Sequence, residues 1–524
     1  MVPIQRGPRA CSNCRRRKIK CDGARPKCSQ CRLRPPRSKM PCEYPRIDGW
    51  PEDSQASEML ETIQTLRARV AELERYAPPD PARIYLQQPY AAGSESLRDF
   101  GEMSLTTGRS SPFDMPEPPS NLMVNLIDAF LNRFSGSTHF FLDASTFRTA
   151  ALLPLPFGHQ SRPSPALLCV AYLWGALLLP SSEPYDPEVF LACVLQNILH
   201  DISGCEAPSA PNAKLVLETI QAQVLLSFYY LDTAQPVQGR IHAAGAASLA
   251  FSTSLNEFRP QTGAPDEMQR VNAFWAVVTL NNFWVAAYGG PSAVPYGVRI
   301  DTPWPGSVSN QGSGSISSFL SGHDSQGSAL AITYLIKSSV LLERILAFVE
   351  RAGVGPADST AFATLDRRLH TFQAVLPPLS PLLQASQAEQ ERALLLIAHA
   401  LVDTAVVRLH MRAAESSASA RVKCLTAASR IVDAVRGYAG VGVRPDPIIG
   451  PICSTAARVY TTELGALAMT HSPRAASKMR EIEDRLGGLM SVMTSLAGYS
   501  PLIERCIVDV QAAYAGVHGM AATG

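Results

Sequence analysis

The chain reads as mainly α-helical: a small cysteine-rich head, a short coiled coil, a disordered linker and a large all-α body. Three observations carry that reading. From about residue 120 to 515 apolar residues recur at helical spacing, with few of the alternating stretches that strands need. Six of the twelve cysteines fall between Cys11 and Cys42. Residues 1–50 hold 14 Lys and Arg against three acids, a local balance of +11, while the rest of the chain holds 33 bases and 42 acids. The net charge of +2 therefore conceals a basic end on an acidic body, as expected of a nucleic-acid-binding head. At 524 residues, 46% of them hydrophobic, the chain is long enough for two or three domains.

The head, residues 1–47, is built on "CSNCRRRKIKCDGARPKCSQC" and a sixth cysteine. Its spacing is C-x2-C-x6-C-x6-C-x2-C-x10-C over Cys11, Cys14, Cys21, Cys28, Cys31 and Cys42. "MVPIQRGPRA" carries no apolar stretch before the basic run, so no secretory signal is read and a disulfide knot lacks its oxidising compartment. Paired C-x2-C steps suit zinc, which takes four thiolates tetrahedrally. One zinc leaves two thiolates over. Two zincs need eight thiolate bonds from six cysteines, which balances when two sulfurs each touch both metals. Arg15, Arg16, Arg17, Lys18 and Lys20 lie between the ligands, where cations favour thiolates. So little of the head is apolar that metal binding supplies most of its folding free energy, about 10–16 kcal/mol per structural zinc.

This segment resembles the Zn2Cys6 binuclear cluster of fungal transcription factors, in its cysteine spacing, its basic run, its "CDG" turn and Pro26. The final interval of ten residues, with Pro35, Pro36 and Pro41, is longer than is common in that family. The resemblance implies two Zn2+ ions bridged by Cys11 and Cys28, with Cys14 and Cys21 completing one site and Cys31 and Cys42 the other. It also implies a short helix after the first ligand pair whose C-terminal end faces the DNA major groove. Arg17 and Lys18 then approach bases, and Arg15 and Lys20 approach phosphates. Lys or Arg donating to guanine makes a CGG/CCG triplet the sensible target in double-stranded DNA. The bland alternative is that the basic run balances cluster charge or serves nuclear import. Localisation to the nucleus follows from either role.

A polar linker, 48–57, leads to "SEMLETIQTLRARVAELERYAPP". Met59, Ile63, Leu66, Val70 and Leu73 step by four, three, four and three, which puts β-branched residues at a and Leu or Met at d. That pattern predicts a parallel two-stranded coil over 58–77 and hence a dimer, with Arg69 at g facing Glu74 at e; a homodimer is the expectation, and the pattern admits a heterodimer with a related protein. Two heptads are short for independent stability, and an amphipathic helix packed on the body is the alternative. Residues 78–119 are rich in Pro, Gly and Ser without sustained periodicity and read as disordered linker.

The body, 120–515, opens at "PPSNLMVNLIDAFLNRF", where Ser120 is placed to cap a helix. "PALLCVAYLWGALLLP" has an apolar run of 14 residues, too short for a membrane span and suited to a buried core helix. Residues 305–328 are Ser/Gly-rich and read as a loop. "ETIQAQVLLSFYYL", "GRIHAAGAASLAFSTSLN" and "RVNAFWAVVTLNNFWVAAYGGPSAVP" resemble the fungal-specific transcription-factor domain, or middle homology region. Asn281 or Asn282 stands where an acid is usual there. That resemblance implies a regulatory body, with a small-molecule effector and the transcription machinery as partners. Trp275, Trp284, His399, His410 and the scattered cysteines read as core groups. H-E-x-x-H, P-loop and G-x-S-x-G patterns are absent, so no enzyme is expected.

Overall fold

The computed structural model describes residues 10–22, 24, 26–33, 42–43, 117–179, 186–205, 213–257, 267–306, 316–323, 330–352, 359–378, 389–470 and 472–523. The chain divides into two compact units, Met1–Thr106 and Thr107–Gly524. Among the described residues every regular element is helical. In the first unit two short helices, α1 (Ser12–Arg16) and α2 (Ser29–Leu33), pack around the buried cysteines. The expected coiled coil at 58–77 lies outside the described residues, as does the linker up to 116.

The second unit holds α3 (Ser120–Phe134), α4 (Ala144–Ala151), α5 (Pro165–Leu178), α6 (Pro187–Cys205), α7 (Ala213–Asp232), α8 (Pro236–Ser252), α9 (Glu267–Tyr288) and α10 (Ile316–Ser321). It continues through α11 (Ala331–Ala352), α12 (Ser359–Val375), α13 (Glu389–His410), α14 (Ala418–Ala439), α15 (Ile449–Ala468), α16 (Pro473–Ala497) and α17 (Pro501–Thr523). Successive long helices pair as antiparallel neighbours, α5 with α6, α7 with α8 and α13 with α14, and α11 packs along α13. Local signals set several starts. Asp143 accepts the Thr146 N–H at 2.7 Å to open α4, Ser417 caps α14, and Ser472 caps α16 with Pro473 at its first position.

The core sits around α5, which is apolar on all sides and buried from Pro165 to Gly175. Phe130, Phe134, Phe140, Phe147, Trp174 and Phe228 meet there edge-to-face or tilted. Gly175 admits the backbone of α3, since a Cβ on it would fall inside contact distance of the Leu126 carbonyl oxygen. Two carboxylates close the N-terminus of α5: Glu218 Oε2 accepts the Ser164 N–H at 2.9 Å and Asp201 Oδ2 the Ala166 N–H at 3.2 Å. Among the described residues one helix, Glu389–His410, is long and apolar enough to cross a membrane, and most of it is buried inside this unit.

The structure corrects several sequence expectations. Order begins before residue 120: Glu117 pairs with Arg162, which is 2% exposed and also donates to the Leu155 and Ala151 carbonyls. Ser120 is consequently the first helical residue, and Pro119 holds the cap position without a side-chain bond. The Ser/Gly-rich segment carries helix α10, because Ile316 and Phe319 bury against the core. Cys169 and Cys193 are a bonded pair between α5 and α6 rather than free thiols, brought together by the antiparallel packing of those helices. Cys424, Cys453 and Cys506 are buried thiols outside any disulfide, and the buried Cys205 thiol donates to the Asp201 carbonyl at 3.3 Å. Trp275 stacks on Trp304 and Trp284 donates to Ser227 at 2.8 Å, both as core anchors. His399 bonds the Pro377 carbonyl and His410 bonds Asp366.

Candidate metal centre and nucleic-acid interface

Cys11 begins the site twice over. It occupies the N-cap of α1, where its sulfur accepts the Cys14 N–H at 3.4 Å, so the helix starts at the first ligand pair rather than after it. Cys28 has the matching position before α2, and its carbonyl accepts the Cys31 and Arg32 N–H groups at 3.0 Å. Asp22 takes the Ser29 N–H with both oxygens at 3.2 Å, and hydrogen bonding from the Ser29 side chain first, then from this N–H, holds its carboxyl below the usual range. The far end returns through Cys42, whose sulfur accepts the Cys28 N–H at 3.4 Å, and through Glu43, whose carbonyl accepts the Ser12 N–H at 2.7 Å.

The six sulfurs form two quartets, Cys11–Cys14–Cys21–Cys28 and Cys11–Cys28–Cys31–Cys42. Cys11 and Cys28 belong to both. Zinc–sulfur bonds of about 2.3 Å in a tetrahedron require sulfurs about 3.8 Å apart. Cys11 and Cys28 stand at 3.8 Å, Cys14 and Cys28 at 3.6 Å, and Cys28 and Cys42 at 3.9 Å. The donor set and spacing therefore fit two zinc ions. Burial raises the thiols of Cys11 and Cys28, yet hydrogen bonds from the Cys14 and Cys31 N–H groups and neighbouring thiols bring both below their ordinary value. Burial lifts Cys14 well above it.

Sequence reasoning missed Asn13. It is 2% exposed and donates to the Cys31 sulfur at 3.4 Å, a bond that steadies a ligand from outside the quartets. The signal was present in "CSNC", where a short amide between two ligands has a sulfur within reach.

Beyond Cys14 the chain carries its charges outward. Arg15, Arg16, Arg17, Lys18 and Lys20 are all exposed. α1 ends at Arg17, whose N–H bonds back to Asn13, and Lys18 turns the chain with φ of +50°. The Ile19 N–H then returns to the Cys14 carbonyl at 3.1 Å, which ties this turn to the metal ligands. A left-handed non-glycine residue is strained, and strain of this kind collects at working sites. Met59, Ile63, Leu66, Val70 and Leu73, the expected dimerisation residues, lie outside the described residues.

A comparison with curated proteins finds no match to this chain. Residues 9–51 match the family model of the fungal Zn(2)-Cys(6) binuclear cluster domain, and that match does not reach the helical body. The match spans both quartets and the basic turn, so the chain carries a fungal Zn2Cys6 cluster, the DNA-binding module of a zinc-cluster transcription regulator.

Proposed function

We propose that the protein is a nuclear regulator of RNA polymerase II transcription that binds paired CGG triplets as a homodimer. In this reading Cys11, Cys14, Cys21, Cys28, Cys31 and Cys42 hold the two metals. Lys18 and Arg17 donate to guanine O6 and N7, while Arg15 and Lys20 set register on phosphates. Met59, Ile63, Leu66, Val70 and Leu73 join two copies, and the linker after the cluster helps define half-site separation. The helical body acts as a middle homology region that couples a small-molecule effector to the transcription machinery.

The observation that carries the DNA reading is the exposed basic turn at Arg17 and Lys18, hydrogen-bonded back to a zinc-ligand residue, so that metal binding presents the base-reading side chains. Its test is selection of a random duplex library by the zinc-loaded full-length protein, with a chelated control. Two CGG triplets at one spacing, lost on chelation, are expected. Enrichment of single triplets would sink the dimer, and no enrichment would sink the DNA target.

A further inference from the structure

One cavity in the helical body carries buried polar atoms with no hydrogen-bond partner among the described residues. It has a volume of about 560 Å3 and opens between the end of α3 with its following loop, the first turns of α13 and the loop from α14 to α15. Its size falls in the range of small-molecule sites. His139 lines it at 1% exposure, its ring stacked on Phe228 with centroids 3.9 Å apart. Among the described residues neither ring nitrogen makes a hydrogen bond, and Asp446 Oδ2 stands at a long ion-pair distance of 3.5 Å from Nε2. Arg133 Nε, on the same wall, is also buried without a partner.

Much of the rest of the wall is committed. Gln390 donates to the Ser135 carbonyl at 2.6 Å, and Arg444 donates to Asp232 at 3.2 Å and to the Tyr499 carbonyl at 2.8 Å. Tyr438 donates to the Arg444 carbonyl and accepts the Asp446 N–H. Asp446 Oδ1 accepts the Ile448 N–H, which leaves Oδ2 to face the cavity side of His139. Glu389, exposed at the rim, adds a second carboxylate at the first residue of α13. A buried donor left unmet is costly, so two of them converging on one cavity mark a place built for something that supplies acceptors.

We infer that this cavity binds a small zwitterion of the α-amino-acid class. The ligand's carboxylate accepts from Arg133 Nε–H and from a His139 ring N–H, and its ammonium group meets Asp446 and Glu389. A simple anion would leave the Asp446 carboxylate facing it, and a simple amine would leave both nitrogen donors unmet. The inference rests on the reading of the body as effector-responsive, and its readout requires no DNA.

The test is thermal melting of the zinc-loaded full-length protein with each common L-α-amino acid in turn, beside the matching deaminated acids and decarboxylated amines. At least one amino acid is expected to raise the body's melting temperature saturably, while its one-charge analogues do not. His139→Phe, which retains an aromatic ring over Phe228, should weaken that binding by at least about tenfold. Asp446→Asn, which retains an acceptor for Ile448, should do the same and serves where the His139 change lowers stability. The inference is overturned if no amino acid shifts the melt, if one-charge analogues work as well, or if stabilisation survives both substitutions. A negative melt beside successful selection of CGG pairs would leave the DNA reading intact, and the reverse pairing would leave this one intact.

Discussion

Replacing Lys18 separates two things that one residue does. Its φ of +50° lies where a side chain costs about 1–2 kcal/mol and glycine sits freely. Lys18→Ala and Lys18→Gly remove the same ammonium group, but only the second relieves the turn. The difference between them should be about 1 kcal/mol in favour of glycine. Because folding of the head is linked to metal binding, that difference appears as zinc retention, roughly fivefold against a competing chelator. Both substitutions should cost sequence discrimination about equally, at about 1–3 kcal/mol for a lost guanine contact. The assay pairs chelator titration of each variant with binding to a CGG duplex and to a scrambled duplex. Glycine and alanine variants that retain zinc equally would refute the strain argument. A glycine variant with unchanged preference for CGG would refute the base-reading role.

Three further outcomes follow from the geometry. Cys11→Ser removes a corner of both quartets and should lower bound zinc from two towards none, whereas Cys42→Ser should leave one, as read by metal analysis of the purified protein. Burial pushes Glu218 up to about 7, so the folded state holds a proton that the unfolded chain releases near 4.5. Its contribution is complete below pH 4.5 and is lost as pH rises through 7. About 2–3 kcal/mol is at stake, and Glu218→Gln should flatten the melting profile over that window. Gly175→Ala should destabilise the body by about 1–3 kcal/mol, seen as a lower denaturation midpoint, because the new methyl group meets the α3 backbone rather than a movable side chain.

What could be read in the chain beforehand was whatever is encoded locally. Cysteine spacing brings Cys11, Cys14, Cys21, Cys28, Cys31 and Cys42 together because the ligands are few residues apart and the loops between them short. Helical periodicity exposed the body for the same reason, since each turn reports its own buried face. The parts that escaped depend on distant segments meeting. Glu117 looked like linker because its partner, Arg162, is 45 residues on. Cys169 and Cys193 are 24 apart, and nothing in either helix alone says that they face each other. His139 sits in a short loop with no periodic signature. Its isolation is visible only once α13 and the loop before α15 close the cavity around it.

The sulfur of Cys11 both caps α1 and stands at a corner common to the two quartets. Ordering of the helix that displays Arg17 and Lys18 is therefore not separable from metal loading. A copy that loses that one sulfur forfeits a ligand of both metals and the first helical turn together. Zinc scarcity severe enough to empty both quartets would then act as a dial on the number of competent readers.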